Sequence, residues 1–361
     1  MQTFFIILIL LLGFLITFQI AKASEYVSIM RGEEKAKQQT NKINGFLLLM
    51  FLVFGLIGVY YTNVWLGPRI LQFGSAASDH GVDVDNMLKI TIIITGIVFV
   101  ITQAILFGFA YKYQGSEKRK AFYYPHNNKL EVIWTVIPAI VLTVMVGFGL
   151  FYWFRITGEA PKNAMDVEIV GSQFKWEYRY PGKDKILGKK FYKNINEAEN
   201  NPLGQLWEDP ANHDDIYISG EDMHLVVNKP VRLVINAKDV IHDVGLAHFR
   251  MKMDAVPGTP TTMWFTPTKT TTQMKKELND PDFVYEISCD QMCGQGHWSM
   301  RGTIIVESQE EFDRWIFSQT PQYYVTFPDK KPGAQPTVDT TKVAGGAPGK
   351  AAIMTMVQGK N

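Results

Sequence analysis

Ser288-Cys289-Asp290-Gln291-Met292-Cys293-Gly294-Gln295-Gly296-His297-Trp298-Ser299-Met300 holds both cysteines of a 361-residue chain. Two thiols, an imidazole and a thioether in the spacing C-x3-C-x3-H-x2-M make a set of soft donors suited to copper. A second imidazole, His242 in Asp239-Val240-Ile241-His242, lies upstream in a strand-rich region and would complete the set. Cysteines four apart in a loop can turn both sulfurs inward, close enough to bridge two metal ions. With a terminal histidine on each ion, Met300 as a weak axial donor to one and the Gln291 carbonyl to the other, the result is a compact dinuclear centre. Sharing one unpaired electron over two ions limits the geometry change on oxidation, which fast electron transfer needs. Trp298, beside His297, is expected to exclude water and tune the potential.

Simpler uses of the same residues account for less. A C-x3-C disulfide leaves the histidines and Met300 without a role, and a zinc site of two Cys and two His leaves Met300 unexplained. His248 is an alternative ligand, though it reads more simply as a surface or subunit-contact residue. His80, His126, His213 and His224 read as solvated or structural, and Met251 and Met253 as strand residues packed in a core or interface.

Outward from this stretch the chain divides in two. The formal net charge of +1 supplies no basic face for nucleic acid. No C-x-x-C-H is present, which excludes a covalently attached haem. Nearly all long apolar runs fall in the first half, at 4–20, 45–62, 90–110 and 132–154, each near the length that crosses a bilayer as a helix. Loop 21–44 carries Lys22, Arg31, Lys35, Lys37 and Lys42, and loop 111–131 carries Lys112, Lys118, Arg119, Lys120 and Lys129. Segment 63–88 has Arg69 against Asp79, Asp83 and Asp85. Positive loops stay inside, so the second loop and everything after Arg155 are expected outside. Ala21-Lys22-Ala23 resembles a signal-peptide cleavage site, but residues 1–3 carry no Lys or Arg. Cleavage would also reverse the charge rule, so the first run is read as retained.

From Met165 the pattern changes to short β-type runs at 167–170, 174–180, 224–227, 231–235, 261–265, 284–287 and 303–306, punctuated by Gly, Pro and Asn. Such runs favour an antiparallel sandwich or barrel. Ser308-Gln309-Glu310-Glu311 is a capping box ahead of a helix with Phe312, Trp315 and Ile316. Residues 183–220 are polar and aperiodic and read as a surface insertion; residues 321–361 read as a low-complexity tail, disordered or wrapped on a partner. The expected organisation is a transmembrane helical region over 1–158, an all-β domain over 159–320 and that tail.

Four segments then carry a resemblance. Asn127-Asn128-Lys129-Leu130-Glu131-Val132-Ile133-Trp134-Thr135-Val136-Ile137-Pro138, Gln173-Phe174-Lys175-Trp176-Glu177-Tyr178, the run from Asp239 to His242 followed by Lys252-Met253-Asp254-Ala255-Val256-Pro257-Gly258, and the Cys/His/Met cluster together resemble subunit II of cytochrome c oxidase. The resemblance covers roughly residues 90–320, in order. It implies a cupredoxin domain holding a dinuclear CuA centre of two copper ions, with His242, Cys289, Gln291 (by its carbonyl), Cys293, His297 and Met300 as ligands. It further implies a proton-pumping oxidase whose catalytic subunit I holds haem and CuB, a subunit III, and electrons delivered by a c-type cytochrome or a haem-c domain of an associated complex. Glu131 matches a glutamate at the mouth of the family's proton-uptake path; its simpler reading is a solvated carboxylate favoured at a helix start. Trp134 reads as an interfacial anchor.

Four differences stand out. The family usually has a glutamate between the cysteines that helps hold magnesium or manganese; Gln291 is a poor ligand for a hard cation, which weakens the case for that site. The family's usual electron-accepting tryptophan is Phe174 here, with Trp176 retained, so electrons arrive through these residues or through a different surface patch. Donor docking in the family uses acidic residues; Asp239 fits, and the adjacent Lys238 weakens a simple acidic patch. Finally, four spans replace the usual two, pointing to added contacts and to a bacterial source, hence the inner membrane with the copper domain on the periplasmic side. Soluble nitrous oxide reductase lacks such spans, quinol oxidase subunit II lacks the copper ligands, and a copper-delivery protein gives the Glu131 and aromatic motifs no purpose.

Overall fold

A computed structural model describes residues 2–67, 70, 74–116 and 119–333. Four helices open the chain: α1 (Gln2–Arg31), α2 (Glu33–Leu66), α3 (Asp79–Lys112) and α4 (Asn128–Ile156). All four are long and apolar enough to cross a membrane. Leu, Ile, Val and Phe side chains project outward along them, such as Phe14, Phe51, Val98 and Ile140, as a lipid-facing surface requires.

Segment 21–44 is not a loop. α1 and α2 run through it, broken only at Gly32, whose φ of 83° suits a residue without Cβ. The lysines, glutamates and glutamines there are excluded from hydrocarbon but are good helix formers in water, so the spans lengthen into a charged hairpin. Arg31 donates to the Gln39 side chain across it (2.9 Å). α2 packs on α3 where Gly45 lies against Tyr111; a Cβ there would sit 3.3 Å from its backbone. At the opposite end Arg155 of α4 pairs with Asp83 of α3 at 2.9 Å.

Ten strands follow: β1 (Met165–Ser172), β2 (Lys175–Tyr180), β3 (Ile216–Ser219), β4 (Met223–Val226), β5 (Val231–Ala237), β6 (His242–Leu246), β7 (Met251–Ala255), β8 (Thr261–Phe265), β9 (Tyr285–Cys289) and β10 (Arg301–Glu307). They form two five-stranded sheets, ordered β3-β2-β1-β5-β8 and β4-β10-β9-β6-β7. Most pairs are antiparallel, but β1–β5 and β10–β4 are parallel, so the sheets are mixed. Val167, Ile169, Leu233, Ile235, Val244, Leu246, Ile287 and Ile304 are buried between them, the alternation of a two-sheet core. Among the elements not foreseen is helix α5 (Thr271–Leu278), capped by Thr270. The expected capping box at Ser308 and Glu311 starts α6 (Gln309–Ser318).

Two assignments of polar sequence differ from the fold. The stretch 183–220 contains edge strand β3 and covers β1 and β2 rather than lying loose. Buried Arg179 of β2 donates to Gly188 O (2.8 Å), Asn212 Oδ1 (3.1 Å) and Asp215 Oδ2 (2.8 Å), and its Nε to Glu168 (2.7 Å). Polar composition hid this because the buried groups satisfy one another. The tail likewise begins folded: in α7 (Gln322–Thr326), Tyr323 stacks on His213 at 3.9 Å, and Gln322 donates to Asn200 O at 2.6 Å. Residues 334–361 lie outside those described.

The β-sandwich is bound to the membrane helices by the segment before α3. Ala77 N donates to His248 O (2.9 Å) and Thr268 N to Ala77 O (2.8 Å), while Ser78 Oγ donates to Phe249 O (2.7 Å). Arg250 pairs with Asp85 of α3 at 2.8 Å. His80 is fully buried on the Trp264 ring at 4.3 Å, so it is structural and not solvated.

Candidate metal centre

Sheet register brings the two distant parts of the donor set together. His242 opens β6 and Cys289 closes β9, and these strands pair with Val244 opposite Cys289. β9 and β10 are antiparallel, with Arg301 opposite Ser288, and Cys289 N donates to Met300 O at 3.1 Å. The ten residues between are thereby closed into a loop whose tip is a 3-10 turn at His297–Ser299.

Inside that loop the Cys289 and Cys293 sulfurs stand 3.7 Å apart, both buried, with no disulfide. His242 Nδ1 is 3.8 Å from the Cys289 sulfur, and His297 Nδ1 is 3.8 Å from that of Cys293. Met300 Sδ lies 3.9 Å from the Cys293 sulfur, and the Gln291 carbonyl 3.1 Å from that of Cys289. All six residues singled out in the sequence thus converge, Gln291 through its backbone, with its side chain exposed. The ligand atoms of His242, Cys289 and Cys293 lie within 4.8 Å of one another.

The donor set fits bridging metal ions. A metal about 2.3 Å from each sulfur would see the 3.7 Å pair at about 107°, close to tetrahedral, and the same holds on both sides of the sulfur–sulfur line. Burial, reinforced by neighbouring Cys289, pushes the Cys293 thiol up to about 11. Two thiolates here therefore need a cation for company, and soft sulfur and imidazole donors select copper over hard ions.

The surrounding residues hold the ligands in place. His242 Nε2 is 2.8 Å from Asp239 Oδ1, which also accepts from Val240 N (2.7 Å), while Oδ2 accepts from Gln173 N (2.8 Å). Burial opposes the charge on Asp239, but these hydrogen bonds hold its carboxyl below the usual range. Gln173 Nε2 donates to Cys293 O at 2.6 Å. Gly171 makes room for the imidazole: a Cβ there would lie 2.9 Å from the His242 ring. The sequence reading missed these supports, although the D-x2-H spacing was their signal. Asp239, expected as a free docking carboxylate, is committed to His242, and Lys238 is committed to buried Glu177 at 2.6 Å.

Four other residues singled out in the sequence lie in distinct surroundings. Trp176 is buried, 6.0 Å from the His242 ring, so no docking protein touches it. Phe174 is 39% exposed and lies against Gly294 and Gly296. Trp298 does not seal the site; its indole is 79% exposed. Glu131 is exposed in the first turn of α4, at the end of that helix remote from the β-sandwich.

Fold and site together define a membrane-anchored cupredoxin-like protein with a soft-metal pocket at one end of its second sheet. Comparison makes this specific. Residues 63–151 match the family described as cytochrome C oxidase subunit II, transmembrane domain, and residues 165–309 match the subunit II periplasmic domain. The chain belongs to the cytochrome c oxidase subunit II family and is thus a subunit of a haem-copper oxidase. It is 32% identical over 273 residues to the alternative cytochrome c oxidase subunit 2 of Bradyrhizobium diazoefficiens, covering 76% of this chain and 90% of that one. It is 26% identical over 233 residues to cytochrome c oxidase subunit 2 of Cereibacter sphaeroides, covering 63% and 72%. A crystal structure of the periplasmic domain of subunit II (CoxB) from Bradyrhizobium japonicum aligns at 22% identity and a TM-score of 0.31, over 44% of this chain and 96% of that one. The family's transmembrane match begins at residue 63, so α1 and nearly all of α2 precede it.

Proposed function

We propose that this chain is the electron-receiving subunit of its oxidase. Two copper ions held by Cys289, Cys293, His242, His297, Met300 and the Gln291 carbonyl would supply a one-electron relay. The observation that carries this is the symmetric placement of one imidazole nitrogen 3.8 Å from each of two sulfurs that are themselves 3.7 Å apart. Cys289 and Cys293 act as paired bridging donors, fixed by the β9 end and by the Gln173 hydrogen bond. Asp239 accepts the Nε2 proton of His242, which leaves Nδ1 free toward the sulfur. Buried Met300 and Trp176 keep water from the inner side.

In this reading the electron comes from a c-type cytochrome or a haem-c domain of an associated complex and goes on to haem in subunit I, with subunit III alongside. The α-helical region sits in a bacterial inner membrane, and the copper domain faces the periplasm. Glu131 lies on the cytoplasmic side at a proton-uptake mouth. Gln291 offers only an amide where a hard cation would need a carboxylate, so no magnesium is assigned between the cysteines.

Paramagnetic resonance of the purified oxidase tests the reading. Expected is a mixed-valence signal split by two equivalent copper nuclei, abolished in Cys293→Ser. A signal from a single copper, or none, refutes it.

A further inference from the structure

We infer that the buried Glu177–Lys238 ion pair is the positioning device through which the stretch 183–220 fixes the His242 side of the copper centre. The inference rests on the relay reading above and gives that polar stretch a part in it. Glu177 of β2 is fully enclosed. Its Oε1 accepts from the Tyr217 hydroxyl of β3, inside the stretch. Its Oε2 accepts from Ser172 Oγ (3.2 Å) and pairs with Lys238 Nζ at 2.6 Å. Lys175 Nζ stands 3.3 Å from Oε1, and Glu197, also of the stretch, lies 3.7 Å from Lys175 and 3.9 Å from Lys238. Burial opposes the charge on Glu177, but Lys238 and Tyr217 hold its carboxyl below the usual range. A buried ion pair adds little net stability over apolar packing, yet it ties its two partners to one geometry.

What that geometry fixes is the segment leading to His242. Lys238 is held at both ends: its backbone N donates to Gly171 O (3.0 Å), and its ammonium pairs with Glu177. Gly171 is the residue that makes room for the His242 ring. Asp239, next after Lys238, accepts from His242 Nε2 (2.8 Å) and from Gln173 N (2.8 Å). Ser172 ties Glu177 to the turn between β1 and β2, and Gln173 in that turn also donates through Nε2 to Cys293 O (2.6 Å). A series of contacts thus runs from Tyr217 through Glu177, Lys238 and Asp239 to His242. It ends on His242 and not on His297, which sits on the 3-10 turn at the loop tip, so slackening it perturbs one copper ion more than the other. Neither Glu177, Lys238 nor Tyr217 is a proposed donor, so each acts through Asp239.

The test uses the purified oxidase and reads its copper centre. Lys238→Met removes the ammonium and keeps the stem. It should lose copper to excess chelator about tenfold faster than wild type, the scale seen when a metal ligand's supporting partner is removed. Its paramagnetic spectrum should show two inequivalent copper nuclei. Tyr217→Phe should shift both readouts the same way to a lesser degree, while Lys238→Arg, which keeps the charge, should stay near wild type. Should Lys238→Met not assemble, Tyr217→Phe carries the same test. A wild-type spectrum and copper-loss rate in either Lys238→Met or Tyr217→Phe overturns the inference, even where the denaturant midpoint falls, since that marks a merely structural pair. Lys238→Arg perturbed as strongly as Lys238→Met overturns it too. A wild-type oxidase without the two-copper signal overturns the relay reading and this inference with it.

Discussion

Replacing Asp239 by Asn isolates the support of one proposed copper ligand, His242, without altering any of the proposed ligands. The carboxylate accepts three hydrogen bonds: from His242 Nε2 (2.8 Å) and Val240 N (2.7 Å) on Oδ1, and from Gln173 N (2.8 Å) on Oδ2. An amide has one acceptor oxygen and one donor nitrogen. If its oxygen keeps the His242 and Val240 bonds, its NH2 faces the Gln173 N–H; if it turns over, its NH2 faces the His242 N–H. The first arrangement leaves one donor without its acceptor and the second leaves two, His242 Nε2 and Val240 N, and the charge that strengthened the other bonds is gone. A hydrogen bond to a charged group contributes about 1.5–3 kcal/mol, which corresponds to about 10–100-fold in metal affinity, the range seen when a ligand's supporting partner is removed. The assay is the rate at which the purified oxidase loses its copper signal to a chelator in excess. Asp239→Asn should lose copper faster by that factor, and its spectrum should show the two nuclei becoming inequivalent, since only the His242 side is loosened. Wild-type kinetics with an unchanged symmetric signal would refute the view that Asp239 orients His242.

Three further outcomes follow from other parts of the molecule. Arg179→Met leaves the buried carboxylates Glu168 and Asp215 without their shared cation, and stability of the β-sandwich should fall by about 3–5 kcal/mol, read from the denaturant midpoint of copper-signal loss. Asp215 titrates in a window of its own: burial outweighs the pull of Arg179 and pushes it up to about 7. The folded chain thus keeps a proton there that the unfolded chain releases near pH 4, so this group's stabilisation is complete below about pH 4 and is lost as pH rises to about 7. The unfolding temperature of Asp215→Asn minus that of wild-type should therefore climb between those values and level off above; a flat difference would contradict the assignment. Glu131→Gln should slow proton uptake and turnover while leaving the copper signal intact, and unchanged turnover would return Glu131 to an ordinary helix-start carboxylate.

Legibility in the sequence followed how local each signal was. The proposed copper donors other than His242 fall within twelve consecutive positions, and donor chemistry alone groups them. The spans were legible because hydropathy reports what lipid accepts, but their ends were not. Lys and Glu mark where hydrocarbon stops, while the helix of α1 and α2 continues past that point. Strand β3 and the buried positions of Asn212 and Asp215 were hidden because their polar side chains are satisfied by Arg179, a partner more than thirty residues away. The role of Asp239 was visible as a residue type three positions before a histidine, yet only the fold shows its carboxylate turned toward the ring rather than to solvent. Exposure misled in the opposite direction at Trp298, since adjacency to a ligand says nothing of which way a side chain projects.

The attachment of the β-sandwich to the membrane bears directly on what a relay requires. Electron transfer to a neighbouring subunit depends steeply on distance, so a copper domain on a single flexible linker would transfer erratically. Here the short connection 157–164 joins α4 to β1, and Trp264 Nε1 donates back to Gly158 O within it at 2.8 Å, while Ser78, Asp79 and Asp85 at the head of α3 grip the domain as well. Arg155 and Asp83 tie the two helices together beneath. The two attachments meet at Trp264, whose ring also packs on His80 of α3 at 4.3 Å, and together they remove the rotation that a single linker would allow. The second of them is gripped by Phe249 and Arg250, which follow the end of β6, the strand that His242 opens. From His242 to Leu246 is four strand steps, about 14 Å at 3.4 Å each. The proposed ligand His242 and the membrane anchor thus share one short, fully buried strand, so the height of the candidate metal site above the lipid is set by backbone rather than by linker length.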